Sequence, residues 1–352
     1  MNEDKTTQDT QQDTQQDTTR VRHIEVKADD DGQRLDRWIK KYVPEIPYAL
    51  AQKLMRKGQI RVGSKRAKAE TRLETGQTVR IPPVDDKSQP IKHKLTDKDK
   101  AFIKDMVIYE DADVIVLNKP SGIATQGGSK QSRYIDLYLE AFTNKEGVKP
   151  RLVHRLDKDT SGILLLARSA NVARKLGDAF KGRDIKKIYW AITSPAPETP
   201  EGTIKAPLSK AGGSNKERMV VDEEEGKMAI TDFVILESAM SSAAFVAFWP
   251  RTGRTHQLRV HAELIGCPIV GDKKYSRLPE QEEWHEARRK AEADLNGMDL
   301  ANRLHLHARR IILPHPTNTG KMLDITAPLP PELRKSWKAL GFSPNLKGDP
   351  FE

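Results

Sequence analysis

The sequence holds one cysteine, Cys267, in 352 residues. A lone thiol cannot form an intramolecular disulfide or a cysteine-rich zinc site, and such a chain suits a reducing cytoplasm. Long apolar runs are also missing, since nothing approaches the roughly 18 residues of a membrane span. Neither a lipidation motif nor a basic amphipathic anchor is present. Gly127-Gly128-Ser129-Lys130 lacks phosphate-loop spacing, and no Gly-x-Gly-x-x-Gly follows a strand, so no ATP or NAD enzyme is expected. Zinc has little support: His256 and His261 stand five apart without a helical His-Glu-x-x-His, and His305 and His307 have no obvious acidic or cysteine partner. Acidic charge is the scarce sign, and the net charge is +10. Residues 1–20 carry two bases and five acids, which leaves the remainder near +13. Such a basic body predicts a polyanionic partner, nucleic acid rather than a membrane surface.

The repeat within residues 10–18, Thr-Gln-Gln-Asp-Thr-Gln-Gln-Asp-Thr, has almost no apolar content. It predicts a disordered tail over 1–20, without the pattern of a secretory signal or a transit peptide. From 21 to 82 the pattern predicts a small α/β module. Its elements are a strand at His23–Val26, helices at Arg34–Ile39 and Ala49–Arg56, and strands at Ile60–Val62 and Gln77–Ile81. Between Lys53 and Arg72 lie eight bases against one acid, Glu70, which reads either as a phosphate-binding stripe or as a solvated basic face. Pro82-Pro83 and the polar run after it predict a linker over 83–100.

The remainder, 101–352, predicts many short apolar strands with helices between them. Strands are expected at Val114–Leu117, Ile163–Ala167, Ile188–Ile192, Thr231–Leu236, Ala244–Trp249 and Leu304–Ile312. A helix is expected at Ala170–Lys181, and a charged helical insertion at 277–298. Without βαβ alternation the class is α+β, around a mixed, mainly antiparallel sheet.

His154-Arg155-Leu156-Asp157-Lys158-Asp159-Thr160-Ser161-Gly162 sets a carboxylate and bases just ahead of the Ile163–Ala167 strand. Asp157 reads as a turn cap or as a reacting carboxylate, and Asp159 as turn chemistry. The two together could form an acid and base pair of the glycosidase kind. Tyr189 reads as core packing or as a platform for a base. Three arginines and two histidines crowd residues 251–261, which suggests anion contacts or a partner for a buried carboxylate.

Taken together, residues 154–162, Lys187-Ile188-Tyr189 and Gly253-Arg254-Thr255-His256-Gln257-Leu258-Arg259-Val260-His261 resemble the signature motifs of the RluA-type pseudouridine synthases. Leu117-Asn118-Lys119-Pro120-Ser121-Gly122 is similar to that family's first motif, and Gly266–Asp272 to the segment after its third. The module at 21–82 resembles an S4 RNA-binding domain through Arg34–Trp38 and Arg56–Val62. Within the family the RluC type, acting on bacterial 23S ribosomal RNA, is most similar. Gly63-Ser64 departs from the Asn-Gly of many S4 domains, and Gln126 and Cys267 stand where relatives often have His.

The resemblance implies isomerisation of uridine in RNA by Asp157, acting at C1′ or C2′ of a flipped nucleotide. It makes Arg259 the ionic partner of Asp157 and Tyr189 the residue packed on the uracil. Arg155 is implied as the side chain that holds the vacated base position. His154, Lys119, Arg254, His256 and Gln257, with Arg56, Lys57, Arg61, Lys65 and Arg66 in the first module, are implied as RNA contacts. No metal and no cofactor is expected. A cytoplasmic monomer acting on ribosomal RNA is expected, with transfer RNA as the alternative substrate.

Overall fold

The computed structural model describes residues 20–83, 95–127, 133–182, 184–212, 218–276 and 282–352. All but the last residue of the expected tail, most of the expected linker and the first residues of the expected insertion lie outside the described residues. The chain divides into two units, Met1–Lys94 and Leu95–Glu352.

In the first unit β1 (Arg22–Glu25), α1 (Leu35–Tyr42), α2 (Tyr48–Arg56), β2 (Arg61–Val62), β3 (Lys65–Arg66) and β4 (Thr78–Ile81) follow one another. Helix α1 forms because Leu35, Trp38 and Ile39 share one face and are buried. They pack with Leu54, Ile60, Leu73, Val79 and Ile81. The strands make an antiparallel sheet in the order β1-β4-β2-β3. Register sets Arg80 opposite Arg61 and Arg61 opposite Arg66. All eight bases between Lys53 and Arg72 are exposed, and among the described residues none is ion-paired with a carboxylate.

The second unit opens with α3 (Asp97–Lys104), β5 (Val107–Glu110), β6 (Val114–Lys119), α4 (Ile135–Tyr138), β7 (Arg151–Leu152) and β8 (Ser161–Ala167). Helix α3 corrects the expected linker boundary. Thr96 and Asp99 form a reciprocal capping box that starts a helix inside the stretch 83–100. Next come α5 (Ala170–Gly182), β9 (Lys186–Thr193), β10 (Glu201–Lys210), β11 (Met219–Val221), β12 (Lys227–Ala239), β13 (Ala243–Pro250) and α6 (Gln257–Leu264). The unit ends with α7 (Glu282–Leu295), β14 (Leu306–Pro314), β15 (Met322–Thr326) and α8 (Pro331–Ala339).

Eleven strands form one sheet, in the order β11-β10-β12-β13-β9-β14-β8-β6-β5 with β15 on β14 and β7 on β8. Its pairings are antiparallel except β14 with β8, so the expected mixed, mainly antiparallel α+β class holds. Strand β8 is buried along its whole length, which explains its unbroken apolar run. Its odd residues Ile163 and Leu165 pack towards Val172 and Leu176 of α5. Its even residues Leu164 and Leu166 pack towards Ile103 and Tyr138 on the other face. At the β14/β8 junction Gly162 takes φ +109°, and a Cβ there would lie 2.3 Å from the Ala308 carbonyl oxygen. Only glycine lets the two halves of the sheet meet directly behind the Asp157 turn. Tyr189, Ala308 and Gly162 lie in register across β9, β14 and β8, which places Tyr189 two strands from that turn.

Candidate active site

The turn between β7 and β8 is stapled from below. His154 Nε2 accepts from Leu165 N at 2.8 Å, and Leu156 exchanges two hydrogen bonds with Thr125 Oγ1, at 3.1 and 2.7 Å. Lys158 O accepts from Gly122 N at 2.9 Å, while Ser121 Oγ donates to Asp159 O. The stretch Lys119–Thr125 therefore serves as the floor on which the turn rests.

Above that floor Asp157 faces a cavity of about 860 Å³. Among the described residues lining it, Asp157 is the one carboxylate, against six cations: Arg155, Lys181, Lys187, Arg251, Arg254 and Arg259. Asp159 is exposed and does not line the cavity, so no second carboxylate is placed for the glycosidase pair. Tyr189 forms one wall, half-buried, and its hydroxyl pKa is pushed up by burial and then by the charge of Asp157. The phenol therefore keeps its proton, and the ring is what it offers. Arg155 and Arg254 are exposed at the cavity. Lys187 was not singled out from sequence. It lines the cavity half-buried, with burial lowering its ammonium pKa.

Several expected roles change. Arg259 is 4% exposed and gives its guanidinium to Asp272, with Nε and Nη2 each at 2.6 Å from a carboxylate oxygen. Burial alone would lower its pKa, but the Asp272 bond and charge raise it, while burial would raise that of Asp272 and the Arg259 bond lowers it. Asp157 thus feels Arg259 as a charge nearby rather than as a bonded partner. Among the described residues the cation-capable group paired with Asp157 is His256, with Nε2 at 3.8 Å from Oδ2.

Lys119 is wholly buried and donates to the carbonyls of Pro120, Ile123 and Lys158 at 2.9, 3.0 and 3.2 Å. All three of its protons are spent, and burial pushes its pKa down to about 7, so it is part of the floor and not an RNA contact. Gln257 is equally committed. Its Oε1 accepts from Thr252 Oγ1 and Arg254 N, and its Nε2 donates to Ile230 O and Thr231 Oγ1. It pins the 252–256 loop to β12. His154 is held neutral, its pKa pushed down to about 3 by burial and then by Lys187, with its ring stacked on Phe180.

The crowded 251–261 segment is a loop after β13 that runs into helix α6 at Gln257. His256 starts the helix at φ +53° without a side-chain cap, so the usual start signal is missing from the sequence. Asp272 and Tyr275 were also missed as site residues. The signal available was Gly271-Asp272, where a Cβ on Gly271 would lie 2.0 Å from Arg303 O. His305 and His307 are buried and bonded to Ser336 Oγ and Ser161 Oγ, so both act as internal ties. Among the described residues one metal-competent group occurs, Asp111, Asp113 and His315, away from the cavity. His315 Nδ1 accepts from Asn318 N, so its Nε2 proton points at Asp111 and the set is closed by its own hydrogen bonds.

Residues 113–264 match the RNA pseudouridylate synthase family. The chain is 37% identical over 306 residues to the ribosomal large subunit pseudouridine synthase C of Rickettsia bellii, covering 84% of this chain and 94% of that protein. The chain belongs to the RNA pseudouridylate synthase family. The protein of the same name from Escherichia coli K12 is 35% identical over 326 residues, covering 91% and 97% of the two chains. The solved human RNA pseudouridylate synthase domain containing 4 superposes with a TM-score of 0.54 at 28% identity, over 69% of this chain and 97% of that one. An RNA pseudouridine synthase is an isomerase, and the family match spans Asp157, Tyr189 and Arg259 while ending before Asp272 and Tyr275. Among the described residues no helix is long and apolar enough to cross a membrane.

Proposed function

We propose that this chain isomerises uridines of large-subunit ribosomal RNA, with Asp157 as the reacting carboxylate. The observation that carries the reading is a single lining carboxylate beside an aromatic wall in a cavity otherwise rich in cations. Cations collect phosphates and repel from each other, so a lone acid among them is retained for chemistry at the sugar. Relatives over most of the chain's length, named for the large ribosomal subunit, support the substrate class. A cytoplasmic setting follows from that substrate, and the buried Cys267 thiol, its pKa pushed up to about 12 by burial, is unreactive there.

The N1–C1′ bond breaks, the uracil turns within the cavity, C5 bonds to C1′, and the C5 proton is lost as N1 gains one. No atoms enter or leave. Asp157 either attacks C1′ or takes the C2′ proton to form a glycal that later regains it, and both routes begin with the same carboxylate. Tyr189 holds the uracil by its ring face, and Arg155 occupies the space the flipped base leaves.

The first unit supplies RNA affinity in the manner of an S4 domain. Directly opposed arginines across β4, β2 and β3 repel unless an anion lies along them, and a phosphate backbone fits that row. Arg56, Lys57 and Lys65 extend it. Replacing Arg61 and Arg66 by Gln is expected to lower the slope of log affinity against log salt by about 1.4 to 1.8. An unchanged slope contradicts the role of the row. The substrate itself is tested by mapping pseudouridines in ribosomal and transfer RNA from cells with and without the gene. Sites lost from large-subunit RNA support the reading, and sites lost only from transfer RNA overturn it.

A further inference from the structure

We propose that His256 is a positioning residue for Asp157, fixed in one tautomer by the hydroxyl of Tyr275. The inference rests on the reading of Asp157 as the reacting carboxylate.

Tyr275 is wholly buried, and its hydroxyl lies 2.7 Å from Met219 N and 2.7 Å from His256 Nδ1. A backbone N–H can only donate, so the phenol oxygen accepts from Met219. Among the described residues the acceptor within hydrogen-bond reach of its one proton is His256 Nδ1, and burial raises the phenol's pKa so that the proton stays. An imidazole whose Nδ1 accepts carries its own proton on Nε2. Nε2 is the atom facing Asp157 Oδ2, at 3.8 Å. His256 therefore presents an N–H, not a lone pair, to the carboxylate.

Tyr275 is in turn held by the pair that replaces the expected Arg259–Asp157 contact. Asp272 Oδ1 accepts from Lys274 N and Tyr275 N at 2.9 and 3.0 Å, and the Arg259 guanidinium lies 4.8 Å from the Tyr275 ring centroid. Hydrogen bonds link Arg259 through Asp272 and Tyr275 to His256, whose Nε2 stands 3.8 Å from Asp157. The charged groups acting on His256 are Asp157 and Asp272 on one side, Arg259 and Lys274 on the other, and burial favours its neutral ring. A neutral donor orients the carboxylate and leaves its negative charge available. A bonded arginine would draw that charge away. The left-handed backbone at His256, φ +53° in a residue with a side chain, is the kind of outlier retained where a side chain must be aimed.

The test compares His256→Ala, His256→Gln, Tyr275→Phe and Asp157→Asn in single-turnover isomerisation across RNA concentrations, with melting curves as the fold check. At 3.8 Å the N–H stops short of a hydrogen bond to the carboxylate, and the positioning role requires that gap to close when RNA is bound. On that closure His256→Ala is expected to slow the saturated rate about 10- to 100-fold at unchanged half-saturating RNA. Gln keeps a donor at the Nε2 position and should recover most of that rate. Nitrogen-15 spectra, with the His256 signals assigned from the Gln variant, should show the Nε2–H tautomer in the parent chain and a mixture in Tyr275→Phe. An unchanged rate, weaker RNA saturation at an intact rate, Gln no better than Ala, or an Nδ1–H tautomer would each overturn the proposal. If Asp157→Asn keeps the parent rate, the reading of Asp157 fails. If Asp157→Asn is inactive while His256→Ala is unaffected, only the role of His256 fails.

Discussion

Replacing Asp272 by Asn would leave the nearly buried Arg259 guanidinium without its ionic partner, because the two side chains are 4% and 0% exposed. Breaking a buried pair from one side costs about 3–5 kcal/mol. For a unit of this size that lowers Tm by roughly 10 °C, and the loss of Tyr275 positioning should slow turnover as well. A melt within about 2 °C of the parent chain would contradict this account. Arg254→Ala carries no such cost, since Arg254 is exposed and, among the described residues, its guanidinium is hydrogen-bonded to Met228 O alone. Motif resemblance brought out Asp157, Tyr189 and Arg259, and all three line one cavity. It misassigned Lys119 and Gln257 because residue type does not reveal whether donors are already satisfied inside the fold. Asp272 and Tyr275 escaped notice because their meaning depends on a loop returning to α6.

The β14/β8 junction is the element on which the site depends. Gly162 meets the backbone of Ala308 more closely than any side chain allows, so Gly162→Ala must push the two halves of the sheet apart beneath the Asp157 turn. Loss of soluble folded protein, or a large fall in Tm, is expected. Gly177 in α5 is the control: nothing lies within 4 Å of an added Cβ there. Gly177→Ala should stabilise the helix by about 1 kcal/mol. Equal melting temperatures for the two variants would refute the argument. Strands β8, β9 and β13 were legible because burial on both faces leaves unbroken apolar runs. Helix α6 was not, since Gln257, Arg259 and His261 are buried polar residues that hide its amphipathic pattern. Helix α3 was obscured by its own capping box, whose Thr96 and Asp99 read as linker polarity.

Among the described residues five histidines have their pKa lowered by burial, His256 among them. His154 and His307 are pushed down to about 3, and His261 and His305 to about 4, from an ordinary 6.5. The unfolded chain binds protons there that the folded chain refuses, so stability is full above pH 6.5 and falls as pH drops. Each histidine contributes up to about 1.4 kcal/mol per pH unit. Carboxylates with lowered pKa, such as Asp111 at about 2, lose their contribution only below about 4. Denaturant midpoints measured from pH 7.5 to 4.5 should therefore decline from near pH 6, and a flat profile down to pH 4.5 would contradict the burial of these rings. Pro82-Pro83, the polar run after it and the change of apolar pattern near residue 101 led the sequence reading to expect a boundary, and the chain divides at Lys94/Leu95, whereas the pairing that joins β8 to β14 spans 146 residues between Ser161 and His307 and leaves no local trace.

The most direct measurement is single-turnover pseudouridine formation by Asp157→Asn on a ribosomal RNA fragment, with RNA binding followed in the same samples. Asn keeps the shape and the hydrogen-bonding reach of the side chain while removing its charge. Intact RNA binding with no detectable isomerisation is the predicted result. Turnover near that of the parent chain would contradict the assignment of Asp157 as the reacting carboxylate.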